Sequence, residues 1–164
     1  MRRGVLIDLW SLGEVANYDG GHSSQRYEHA LQMEEIWYID EPNHPDLATT
    51  VSNLAGLRKV QGRLTEAAEG YERALRMQEM AYADEPDHPD LATTVHNLAG
   101  VQMAQGRLAE AAEGYERALR IEQVVFADEP GHPDLEATVR ALASVREAQR
   151  SAEAGDGVEA VGQL

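Results

Sequence analysis

A chain of 164 residues with 43% hydrophobic content is long enough to bury one core, but at 5% aromatic that core must rest on alanine and leucine. A formal net charge of −15 argues against nucleic acid and anionic membrane surfaces, whose phosphates need clustered Lys and Arg, and favours a neutral to basic partner. With no cysteine there is no disulfide framework and no thiolate chemistry, which suits a reducing cytoplasm.

The opening MRRGVLIDLW imitates a signal peptide for a few residues, until Asp8 interrupts it, and no small-residue cleavage site follows. No apolar run approaches the ~20 residues of a membrane span. Residues 1–43 read as a worn copy of what comes later. Tyr27, Ala30, Leu31, Met33 and the tail IDEPNHPDL align with Tyr71, Ala74, Leu75, Met77 and ADEPDHPDL at an offset of 44. Leu9, Leu12 and Gly13 fit a first helix and Gly20 a turn glycine, if this copy is two residues shorter at the turn. The pattern predicts a helix near 4–17, a loop through DGGHSS, and a helix near 23–39 capped by Ser23 or Ser24.

Residues 46–89 and 90–133 are then one segment written twice: 31 of 44 positions match without a gap. Self-similarity at such a period signals a stacked repeat. Within the second copy, Leu91, Val95, Leu98 and Ala99 recur at helical spacing, Gly106 ends that helix, and Leu108, Ala111, Ala112, Tyr115, Ala118 and Leu119 form a second stripe. Glu72 with Arg76, and Glu116 with Arg120, sit four apart as candidate ion pairs. Pro89 and Pro133 open the next helices, each followed by Asp. Helix pairs are predicted at 45–83 and 89–127. A lone helix follows at 133–150, where Arg140, Arg146, Glu147, Gln149 and Arg150 make a polar cap. The remainder, 151–164, reads as a flexible tail.

Val95, Leu98, Ala99, Gly106, Ala111, Tyr115 and Ala118, matched by Val51, Leu54, Ala55, Gly62, Ala67, Tyr71 and Ala74, resemble the tetratricopeptide repeat pattern of small and large residues. Two departures stand out: Val51, Val95 and Val139 replace the family's first aromatic, and Arg58 or Gln102 a later one. The period of 44 resembles the long repeat type of kinesin light chains and bacterial repeat proteins. The resemblance implies an all-α, right-handed superhelical solenoid of antiparallel helix pairs, about 3.5 repeats long. Its parts would be a degenerate repeat at 4–43, repeats at 44–87 and 88–131, and a capping helix at 132–150. It also implies a non-catalytic module that binds a protein or peptide in a concave groove lined by first helices. The family's inward positions fall on Thr49, Ser52, Asn53, Gly56, Lys59 and Val60, then Thr93, His96, Asn97, Gly100, Met103 and Ala104, with Arg140 on the last helix.

Three of these slots differ between the copies: Ser52/His96, Lys59/Met103 and Val60/Ala104, as in a groove retuned repeat by repeat. Asn53 and Asn97 are poor mid-helix residues whose amides suit the backbone of an extended peptide. Lys59 and Arg140 offer charge to an acidic group. His44, His88 and His132 recur beside acids, but loops a helix pair apart cannot share one metal ion, so they read as caps. Asp84 and Glu85 read as solvated. No phosphate loop, HExxH or nucleophile elbow is present, and no catalytic role, metal or cofactor is assigned. Two other readings are a self-assembly module, a homo-oligomer joined through the apolar face of the final helix (Leu135, Val139, Leu142), and a regulatory part of a larger signalling ATPase system.

Overall fold

A computed structural model describes the backbone of residues 20–161 and the side chains of 25–154. Those residues form six helices: α1 (Gly20–Trp37), α2 (Pro45–Val60), α3 (Leu64–Ala81), α4 (Pro89–Ala104), α5 (Leu108–Val125) and α6 (Pro133–Val161). Helices α2/α3 and α4/α5 are the two complete pairs. Each first helix opens in the same way. His44, His88 and His132 precede the Pro–Asp starts, and each Nδ1 accepts from the Asp backbone N–H at 3.2, 3.2 and 3.3 Å. An upstream aromatic holds each imidazole flat: Tyr38, Tyr82 and Phe126 stack on them at 4.0, 3.6 and 3.6 Å. The Tyr38 and Tyr82 hydroxyls donate to Asp46 and Asp90, whereas Phe126 has none to give.

The two helices of a pair are joined by three residues in a Schellman turn. Gly62 and Gly106 take φ of 76° and 78°, open to glycine at no steric cost. The backbone N–H of Arg63 returns to the Arg58 carbonyl and that of Gly62 to Lys59; Arg107 and Gly106 do the same with Gln102 and Met103. A turn this short folds the second helix back antiparallel, with Arg63 and Arg107 paired to Glu66 and Glu110 at its start.

Small residues set how closely the helices approach. A Cβ added to Gly70 would lie 2.8 Å from the Ala55 Cβ, and one on Gly114 would lie 2.9 Å from that of Ala99. Glycine against alanine therefore lets the helices nearly touch. Leu47, Ala48, Val51, Ala74 and Met77 form a cluster across α2 and α3, and Leu91, Ala92 and Ile121 do so across α4 and α5. The first helices contact one another in succession, α2 with α4 and α4 with α6, while the backbones of α1, α3 and α5 stay apart. The array therefore curves with first helices on the inside.

Several sequence expectations need correction. Helix α1 has the same 18 residues as α3 and α5 and starts 44 positions before α3, so its start is not shortened. Residues 20–24, read as loop, turn glycine and serine caps, are helical. Packing of Leu31 and Tyr38 against the Leu47 cluster fixes this register and outranks the polar, glycine-rich local sequence. The expected helix at 4–17, with Leu9, Leu12 and Gly13, lies outside the described residues.

At the other end α6 continues to Val161 instead of stopping near 150. Arg150 stands where Gly62 and Gly106 stand, so no residue offers the positive φ that turns the chain. The pairs Glu72–Arg76 and Glu116–Arg120 are not formed. Arg73 reaches Glu35 and Arg117 reaches Glu79, both at 2.6 Å, and Arg146 reaches Glu116 at 2.9 Å. The arginines link successive helices on the outer side, where exposed pairs contribute little stability.

Candidate functional site

The inner helices α2, α4 and α6 carry the predicted residues, and these separate into two groups. Asn53 is exposed and Asn97 half-exposed, and neither amide has a side-chain partner among the described residues. Thr49 and Thr93 are exposed one turn earlier. Their hydroxyls donate to the Pro45 and Pro89 carbonyls at 3.0 and 3.2 Å, leaving oxygen lone pairs as acceptors. Two amides and two hydroxyls thus repeat along the inner surface with unspent hydrogen-bonding capacity. On α6 the same slots hold Ala137 and Ala141, so the row ends there; Arg140, 70% exposed and 3.4 Å from Glu136, stands beside it at the slot of Ser52 and His96.

The second group is committed to packing. His96 is half-buried between α4 and α6, its ring edge-on to Tyr115 at 5.1 Å. Its Nδ1 lies 2.7 Å from the Thr138 hydroxyl, which donates to Glu122 Oε1 at 2.9 Å. With the hydroxyl proton given to Glu122, Thr138 accepts from Nδ1–H of His96. Burial, reinforced by Lys59, lowers the His96 pKa, and burial raises that of Glu122. A Glu–Thr–His chain resembles a proton relay, but Thr138 is 0% exposed and no substrate reaches its hydroxyl. His96 is therefore a joint residue, with its Nδ1 engaged between the repeats.

Lys59 extends across to the next repeat: a Cβ on Gly100 would lie 2.9 Å from its Nζ. It makes no ion pair among the described residues. Met103 is half-buried against the Ala99, Tyr115 and Leu142 cluster. Ser52 is half-buried at the His96 slot. Gly56 and Gly100, also placed in the groove by sequence, make room for the Tyr71 and Tyr115 hydroxyls, 3.0 and 3.3 Å from where their Cβ atoms would be.

Two features escaped the sequence reading. One is the Gly70/Gly114 contact, whose signal was a mid-helix glycine kept in both copies. The other is a buried polar layer between repeats: Glu34, Gln78 and Glu122 share one slot and are 8%, 3% and 4% exposed, Glu34 is bonded to Thr50 and Glu122 to Thr138, and Thr94 is the buried threonine at the corresponding slot. One side-chain oxygen of each, Glu34 Oε2, Gln78 Oε1 and Glu122 Oε2, has no partner. No group of three potential metal ligands occurs among the described residues, and no described helix is long and apolar enough to cross a membrane. A family model described as tetratricopeptide repeat matches residues 46–123. No curated protein shows significant similarity to the chain.

Proposed function

Because the chain is a tetratricopeptide repeat protein across residues 46–123, we propose that it is a cytoplasmic, non-catalytic interaction module that holds an extended protein or peptide segment in its concave trough. Repeats of this family generally mediate protein–protein contacts. The observation that carries the finer reading is the unspent amide of Asn53 and its repeat-mate Asn97 on the inner helices. An asparagine side chain donates and accepts at once, matching the N–H and C=O of an extended backbone. Thr49 and Thr93 offer further acceptors beside them, and Lys59 and Arg140 select against positive charge locally. Ser52, His96 and Met103, part-buried at the repeat joints, shape the floor. The overall acidity favours a neutral to basic ligand through steering and exclusion of acidic competitors.

A pull-down with basic and apolar peptide libraries, followed by calorimetry on the best ligand, tests this. The Asn53→Ala/Asn97→Ala double variant should fold normally and bind at least about tenfold more weakly. Equal binding by the double variant would refute the groove reading.

A further inference from the structure

The two ends of the described array are complementary halves of one helix pair. Helix α6 is a first helix without its second, and α1 is a second helix without its first among the described residues. At Leu47, Val51, Leu91 and Val95, the slots of Leu135 and Val139, exposure is 2–3%. Val139 is 49% exposed, and it lines a depression of about 270 Å³ with Pro130, Leu135, Glu136 and Arg140. On α1, Met33 and Trp37 are 49% and 64% exposed. At the Met33 slot, Met77 and Ile121 are each 5% exposed, and at the Trp37 slot Val125 packs against the Leu91 cluster.

The polar register agrees with the apolar one. His96 of α4 meets Thr138 of α6, which is bonded to Glu122 of α5. One period on, Arg140 takes the place of His96, and Thr50 and Glu34 of another molecule take those of Thr138 and Glu122. Glu34 is hydrogen-bonded to Thr50 and its other carboxylate oxygen lacks a partner. An exposed guanidinium at one end is thus matched in register to a buried, under-satisfied carboxylate at the other.

We infer that the chain associates with a second copy of itself head to tail, α6 of one molecule receiving α1 of the next so that the array continues at its own period. The contact lies along residues 30–37 of α1, because Arg26 occupies the close-approach slot of Gly70 and Gly114. At the same offset the sequence reads Arg3 and Ile7 where α6 has Leu135 and Val139, so by sequence α6 of a second copy is the more apolar match. The two surfaces differ, so each molecule keeps one free end and the assembly grows into open chains unless the rotation closes a ring. None of this depends on the trough binding a peptide.

Sedimentation of the full chain over a range of concentrations is the test. The average mass should climb from 18.0 kDa past the dimer. Met33→Glu and Val139→Glu should each raise the concentration needed by at least about tenfold. Mixed in equal amounts they should form a heterodimer and nothing larger, since one retains an intact tail and the other an intact head. Glu34→Gln, which copies Gln78, and Arg140→Ala should weaken association with unchanged circular dichroism. Association that survives Met33→Glu but not Val139→Glu would mean a symmetric contact between α6 faces and overturn the inference. So would a mixture that stays monomeric. A parent chain that is monomeric throughout, as when residues 1–19 occupy the α1 face, would overturn it too.

Discussion

The joint between the two complete repeats and the joint between the second repeat and α6 share a frame and differ in polar content. The first holds Gln78, Thr94 and Ser52, none of which is an acid or a base; the second holds Glu122, Thr138 and His96, of which two can ionise. The apolar slots on either side are nearly unchanged. A repeat protein can therefore vary the chemistry of one buried layer, provided that a hydroxyl stays at its centre and the small residues keep the helices close.

The largest expected effect tests the shared frame. Gly70→Val and Gly114→Val should each cost about 2–3 kcal/mol by overpacking against Ala55 and Ala99. Calorimetric costs that differed widely would break the equivalence of the repeats. Next comes the layer itself. Thr138→Val strips Glu122 and His96 of their common partner and should cost roughly 1–3 kcal/mol, more than Thr94→Val in the same denaturant titration.

The third prediction is a pH profile. Burial raises the Glu122 pKa, so the stability this group favours is present below the unfolded carboxyl value and is lost as pH rises through the folded one. Burial and Lys59 lower the His96 pKa, so stability is lost as pH falls from the unfolded imidazole value towards the folded one. Glu122→Gln should therefore melt higher than the parent near neutrality, the gap closing on acidification. His96→Ser should flatten the acid side. Thermal melts between about pH 4 and 8 decide this, and an unchanged Glu122→Gln profile would assign the carboxylate no cost.

The smallest effect concerns the loops. Phe126→Tyr supplies the hydroxyl that Tyr82 gives to Asp90, and should stabilise by roughly 0.5 kcal/mol through a new bond to Asp134. Tyr82→Phe should lose a similar amount. The Tyr82 pKa is already pushed up to about 12 by burial and its bond to Asp90, so the phenol keeps its proton across the working range.

The helix pairs, their turns and the histidine caps were legible because each depends on residues close in sequence: Pro–Asp starts, Gly62 and Gly106, and apolar stripes copied at one period. The role of His96 was not legible, since its partner Thr138 lies 42 residues away on the next repeat. The start of α1 was missed because packing on α2 overrode its polar, glycine-rich beginning. The length of α6 was readable from Arg150 at a glycine slot, but only once that glycine's backbone angle was known to make the turn. The row of Asn53 and Asn97 was legible as a surface.

The near-contact of Gly70 with Ala55, and of Gly114 with Ala99, also governs how the protein deforms. Helices that meet at their backbones have no slack in which to slide, so each pair moves as a stiff plank. Compliance is left to the seams between planks, which are built from side-chain tips and one polar layer. A change of curvature would then wind or unwind the array as a whole, as a spring changes pitch while its wire keeps its shape.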